Sequence, residues 1–104
     1  MFQEKLDALS RTAAEHMAVP FPPGFRGLEV EDQDMVMLDA DAYGYATSVL
    51  EGRLAGQCRA ALTRLVAVLD KVLPMIDDAY ASRYYAHVRK MAVLAAEAED
   101  LREK

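Results

Sequence analysis

Apolar residues recur every three or four positions through much of this chain, which is the spacing of amphipathic helices. The first such stripe consists of Phe2, Leu6, Leu9, Ala13 and Met17. Charged and polar residues occupy the positions between them, so the segment predicts a first helix over residues 2–18. The helix must end there, because Pro20 disfavours a helical conformation at the residue before it and further prolines follow.

The second half of the chain carries the two clearest stripes. The stripe of the third helix contains Leu54, Cys58, Ala61, Leu62, Leu65, Leu69, Val72 and Leu73. The stripe of the fourth helix contains Tyr80, Tyr84, His87, Met91, Leu94, Ala98 and Leu101. Alternating steps of four and three are a heptad rhythm, and Pro74 separates the two segments. We therefore predict an antiparallel helical hairpin over residues 53–101.

The middle of the chain has a different pattern. Residues 19–27 form a proline-rich loop, and two short apolar runs then flank an acidic tetrapeptide, which indicates an acidic β-hairpin over residues 28–38 with Met35–Leu38 as its second strand. Asp39 is a suitable N-cap for a second helix that ends near Gly52. Residues 43–50 also alternate with a period of two, which leaves a strand as the alternative.

These elements predict one domain over residues 1–104. Its fold class is mostly α: a four-helix bundle-like domain with a short two-stranded β-hairpin between helix 1 and helix 2. A hydrophobic content of 53% in 104 residues is sufficient for one buried core.

Charge and composition exclude several classes of function. A net charge of −5 argues against general nucleic-acid binding, which depends on lysine and arginine to neutralise phosphates. Apolar runs are far shorter than the ~20 residues that span a membrane. The single cysteine, Cys58, cannot form an internal disulfide, and no signal peptide opens the chain. We therefore expect a cytoplasmic protein that contacts neither nucleic acid nor a membrane.

Six carboxylates between residues 29 and 41 form an acidic strip without any basic residue: Glu29, Glu31, Asp32, Asp34, Asp39 and Asp41. Like charges at this density are solvated, bound to a metal or matched by a basic partner. The strip lacks the ligand spacing of an EF-hand, so we predict no metal and no cofactor. We assign Asp39 and Asp41 to the start of a helix, and Glu29, Glu31, Asp32 and Asp34 to a partner-binding turn.

A second candidate site is a pocket between helices 2 and 4. Four aromatic or titratable side chains could converge there, namely Tyr43, Tyr45, Tyr84 and His87. Core packing is the alternative role for Tyr84 and His87, because both lie on the apolar stripe. Tyr85 lies off that stripe, which makes it a candidate contact residue. We expect His16 to interact with the negative end of helix 1.

One block resembles a known group of proteins. It consists of Pro22-Pro23-Gly24-Phe25-Arg26-Gly27-Leu28-Glu29-Val30 followed by Met35-Val36-Met37-Leu38-Asp39-Ala40-Asp41-Ala42-Tyr43-Gly44. This block is similar to small uncharacterised actinobacterial proteins, and the likeness covers about residues 22–85. The resemblance implies a bacterial, cytoplasmic setting and transfers no catalytic residue.

Three functions fit the sequence. The sequence contains neither a glycine-rich phosphate loop nor a serine nucleophile motif, so we predict a non-enzymatic interaction or inhibitory module whose acidic edge docks a protein with a basic surface. The first alternative is a small-ligand-binding or enzymatic domain that uses the tyrosine- and histidine-lined pocket. The second alternative is a structural homodimer through the seam of helix 4.

Overall fold

The computed structural model describes residues 1–102 and confirms the predicted fold class. Four helices carry the chain: α1 (Phe2–Ala18), α2 (Met35–Glu51), α3 (Gly56–Val72) and α4 (Ala79–Arg102). A two-stranded antiparallel hairpin, β1 (Glu29–Val30) and β2 (Gln33–Asp34), lies between α1 and α2. A 3-10 turn over Leu73–Met75 joins α3 to α4. Among the described residues, no helix combines the length and apolar character that crossing a bilayer requires.

Helix α4 is the centre of the bundle, because it packs more extensively against the other three helices than they pack against one another. Its fully buried positions are Ala81, Tyr85, Val88, Met91, Ala92, Ala95, Ala98 and Glu99. Half of these side chains are alanine, so neighbouring backbones can approach α4 closely there. Two ion pairs, Arg59 with Asp100 and Arg89 with Asp70, join α3 to α4 and are consistent with their antiparallel direction.

The proline-rich loop is anchored to α4 by aromatic contacts. Phe21 meets the ring of Tyr84 edge-on at 5.7 Å, and Phe25 lies 6.0 Å from Tyr85. The Tyr80 hydroxyl donates a hydrogen bond to the Pro20 carbonyl. These contacts hold the loop against one side of the bundle, where it leads into the hairpin.

The second helix begins five residues earlier than the sequence predicts. Met35–Leu38 is the first turn of α2 and not a strand, and β2 is limited to Gln33–Asp34. Asp34 is the N-cap, since its Oδ1 accepts from the backbone N–H groups of Val36 at 2.9 Å and Met37 at 3.2 Å. Asp39 is therefore not the cap. It lies more than one turn inside the helix, which places its side chain on the inner side of the bundle.

The hairpin turn holds two acidic residues in a left-handed backbone conformation. Glu31 has a φ of 51° and Asp32 a φ of 63°, between paired Val30 and Gln33. Positive φ at both central residues is the geometry of a tight two-residue turn, which usually selects Asn and Gly. Glu and Asp carry a steric cost of about 1 kcal/mol or more there.

The fourth helix buries a wider face than the predicted one. Tyr85 is fully buried and donates a 2.7 Å hydrogen bond to the Met35 carbonyl, so the expectation that it is a contact residue is wrong. Tyr84, Met91 and Ala98 of the predicted stripe are also buried within the chain. The homodimer stays a prediction, and its surface would have to come from less buried positions of α4.

Candidate functional site

A cluster of polar side chains lies between α1, α2 and α4. His16 Nε2, near the end of α1, lies 2.6 Å from Asp39 Oδ1 in α2. The Tyr84 hydroxyl in α4 donates a 2.8 Å hydrogen bond to Asp39 Oδ2. His16 is 5% exposed and Asp39 is 17% exposed, so the carboxylate is held mainly by these two partners.

The cluster is incompletely hydrogen-bonded. The contact between His16 and Asp39 has the distance of an ion pair but not the alignment of a hydrogen bond. Within residues 1–102, His16 Nδ1 and Asp39 Oδ1 are buried without a hydrogen-bond partner. The Tyr84 hydroxyl lies 3.5 Å from His16 Nε2, at the limit of a hydrogen bond. Asp39 Oδ1 is compensated by the 2.6 Å contact with His16 Nε2, so His16 Nδ1 is the atom of the cluster that has room for a further partner such as an ordered water.

Three further rings surround His16. Its imidazole stacks on that of His87 with a centroid distance of 6.1 Å and an interplanar angle of 10°. Tyr43 lies 6.1 Å away on α2, and Tyr84 lies 5.1 Å away on α4. His87 Nε2 is 3.6 Å from Glu15 Oε1, whose side chain is 66% exposed. The buried cluster is therefore continuous with the surface through His87.

An open hollow of about 250 Å³ lies directly against this cluster, and we call it the Tyr84 hollow. Its walls are Val19, Tyr80, Arg83, Tyr84 and His87. Tyr80 also lines a neighbouring hollow of about 360 Å³ under the proline-rich loop. The walls of both hollows are mainly apolar, and the polar groups of the Tyr84 hollow come from α4.

The electrostatics of the cluster keep Tyr84 protonated. Burial of the phenol raises its pKa far above the ordinary value of about 10, and the hydrogen bond to Asp39 and the negative charge of Asp39 raise it further. The Tyr84 hydroxyl is therefore a fixed donor toward Asp39 and cannot serve as a base near neutral pH.

The predicted pocket residues are only partly brought together. Tyr84 and His87 line the Tyr84 hollow, whereas Tyr43 lies behind them against His16. Tyr45 lies at a different surface depression, together with Cys58. The predicted pocket did not include Arg83 and Tyr80, which also line the hollow. They lie four and seven residues before His87 on the same helix, and this spacing is the signal in the sequence that groups them.

The acidic strip divides into four environments. Glu29, Glu31 and Asp32 are exposed on the hairpin, and among the described residues no ion pair or hydrogen bond engages their side chains. Asp34 is exposed but caps α2. Asp39 belongs to the buried cluster, and Asp41 is exposed beside Tyr45. The strip is therefore not a single site.

The arrangement supplies binding groups rather than a nucleophile with its base. Cys58 is in the depression beside Tyr45 and not beside either histidine. Within residues 1–102, no three His, Cys, Asp or Glu side chains are grouped as metal ligands. An apolar hollow with a few fixed polar groups is the usual form of a small-molecule site.

Comparison with protein-family models, curated proteins and solved structures gives no match to this chain.

Proposed function

We propose that this domain binds a small organic molecule in the Tyr84 hollow. The observation that carries the proposal is that an apolar hollow shares Tyr84 with the buried His16–Asp39–Tyr84 cluster, which fixes the position of the Tyr84 hydroxyl. Apolar walls would supply affinity, and the fixed groups of α4 would orient the ligand.

The composition of the cluster supports a role in binding rather than in stability. Burial of an ion pair costs desolvation free energy that the attraction between its partners often does not recover, and apolar residues of similar volume are frequently as stable. The hydrogen bond to Asp39 also fixes the orientation of the Tyr84 side chain, so this wall of the hollow has its binding conformation before a ligand binds. A preorganised wall reduces the conformational entropy that binding would otherwise cost.

A steric test distinguishes this hollow from the rest of the surface. We expect single-ring fragments at millimolar concentration to shift the amide NMR signals of residues 80–87 in ¹⁵N-labelled protein. Val19→Trp should abolish these shifts, because Val19 is 42% exposed and its larger replacement would fill the hollow. Met17→Trp is the matched control, since Met17 is 65% exposed and does not line the hollow.

Two results would contradict the proposal. One is a fragment screen in which no compound shifts residues 80–87. The other is equal binding by the Val19→Trp and wild-type proteins, each verified as folded by circular dichroism.

A second candidate function is docking of a protein with a basic surface by the hairpin. The favouring observation is that Glu31 and Asp32 stay acidic at left-handed positions that Asn and Gly would occupy with less strain. Strain of this kind is often retained where function requires the side chains. Such a module would be non-enzymatic and, with its lone Cys58, would suit the cytoplasm.

Docking at the hairpin is tested by substituting the two central residues of its turn. Glu31→Asn combined with Asp32→Gly should raise the free energy of unfolding by about 1 kcal/mol, because the left-handed conformation then costs less. The same variant should weaken low-salt binding of a lysine-rich peptide, measured by fluorescence anisotropy. Glu51→Gln combined with Asp77→Asn removes the same charge from other exposed positions and should leave binding unchanged. Equal loss of binding by both variants would count against docking at the hairpin.

A further inference from the structure

We infer that the ligand of the Tyr84 hollow is a small aromatic carboxylate. The inference rests on the proposed function, since it names the chemical class that the hollow would take. A ligand of this class has a planar ring and one negative charge. The hollow offers a matching surface for each.

Charge favours an anion over a cation. Among residues 1–102, Arg83 and His87 line the hollow and no carboxylate does. The acidic groups nearby are Asp39, which lies behind Tyr84 and is engaged by Tyr84 and His16, and Asp78, which lines the neighbouring hollow. Glu15 lies outside the lining and contacts His87. A ligand in the hollow would therefore meet the positive side chain of Arg83 first.

Arg83 is available for a ligand. Among the described residues it makes no ion pair or hydrogen bond, whereas Arg89 and Arg102 are paired with Asp70 and Glu99. Arg83 is exposed at the mouth of the hollow. A guanidinium group binds a carboxylate through two parallel hydrogen bonds, a geometry that an ammonium group cannot supply.

The carboxylate of the ligand would compete with Glu15 for contact with His87. Its Oε1 lies 3.6 Å from His87 Nε2, too far for a hydrogen bond, and the side chain is 66% exposed. Glu15 is therefore a weakly held carboxylate next to His87, the side chain that would contact the carboxylate of the ligand. Its removal would free His87 and lower the local negative charge.

The walls fit a single aromatic ring. Tyr80 and Tyr84 lie 6.5 Å apart, with their planes inclined by 35°, and Phe21 supports Tyr84 edge-on from behind. A cavity of ~150 Å³ accepts benzene, so a hollow of about 250 Å³ has room for a ring and a carboxylate. Aromatic walls favour a ring in stacked or edge-on contact.

The test uses four probes that separate charge from ring: benzoate, benzamide, benzylamine and acetate. Titrations of ¹⁵N-labelled protein at constant salt should give benzoate at least about tenfold tighter than benzamide, consistent with one charge-assisted contact. Benzylamine and acetate should bind more weakly still. Arg83→Gln should remove the preference for benzoate over benzamide, while Arg64→Gln, an exposed arginine on α3, should keep it.

The Glu15→Gln variant gives a result that a general loss of structure cannot mimic, because it should bind benzoate several-fold more tightly than wild type. Equal binding of benzoate and benzamide at residues 80–87 would overturn the carboxylate but leave the proposed binding function standing. Binding of acetate as tight as that of benzoate would overturn the aromatic ring. Failure of all four probes, together with an empty fragment screen, would overturn both the ligand class and the proposed function.

Discussion

Asp39→Ala should lower the free energy of unfolding by about 3 kcal/mol. Asp39 is the shared partner of His16 and Tyr84, and the substitution leaves both of these buried groups without their acceptor. Removing one member of a buried polar pair costs more than the pair contributes, since the other member keeps its desolvation penalty. Urea denaturation monitored by circular dichroism measures the change, with an unaltered m-value as evidence for two-state unfolding.

Asp41→Ala is the matched control for this prediction. Asp41 lies two residues further along α2 and is exposed, so its substitution should change stability by less than about 0.5 kcal/mol. A double-mutant cycle between Asp39→Ala and Tyr84→Phe should give a coupling energy of at least about 0.5 kcal/mol. Additive effects would mean that the Asp39–Tyr84 hydrogen bond does not contribute to stability.

Tyr85→Ala should cost about 4 kcal/mol, a loss comparable to that of other large aromatic residues in protein cores. Tyr85 is fully buried on α4, and its ring contacts Phe25 and Tyr84. Tyr85→Phe retains the ring and removes only the hydrogen bond to the Met35 carbonyl, so its cost should be about 1 kcal/mol. Thermal and urea unfolding of the two variants separate the ring from the hydroxyl; equal costs would contradict this division.

Wild type and Tyr85→Phe should also differ at alkaline pH. Burial raises the pKa of Tyr85 above its ordinary value of about 10, and the nearby negative charges of Asp39 and Asp34 raise it further. A group whose pKa is raised by folding contributes stability below its unfolded pKa, and this contribution is lost as pH rises toward the folded value. Wild type should therefore lose more stability above about pH 10 than Tyr85→Phe does. Parallel pH profiles of the two proteins would contradict the assigned role of burial.

The helices were predictable because their apolar stripes are long and regular. The start of α2 was not, because Met35–Leu38 is a short apolar run that periodicity alone cannot assign to helix or strand. A stronger signal was present further along: Met35, Leu38, Ala42, Ala46 and Val49 follow helical spacing, and all are buried. Two aspartates could serve as the cap, and Asp34 does so because the helical stripe begins immediately after it.

The candidate site was less predictable than the fold. His16 and Asp39 are 23 positions apart and meet because α1 and α2 pack against each other and against α4. In α4 the buried set Ala81, Tyr85, Val88, Ala92, Ala95 and Glu99 repeats with a heptad rhythm one residue out of step with the predicted stripe. Alanine is weakly apolar, so this second stripe is inconspicuous in the sequence. Because both stripes are buried, Tyr85 faces the core. Arg83 belongs to neither stripe and is therefore exposed.

The central position of α4 has a consequence for synthesis. The ribosome makes α1, α2 and α3 before α4, although α4 is the element that all three contact. Until it emerges, the apolar stripes of the earlier helices have only each other to cover them. The nascent chain therefore passes through an interval of exposed hydrophobic surface, in which chaperone binding competes with aggregation. Cooperative folding of this domain has to wait for its last helix.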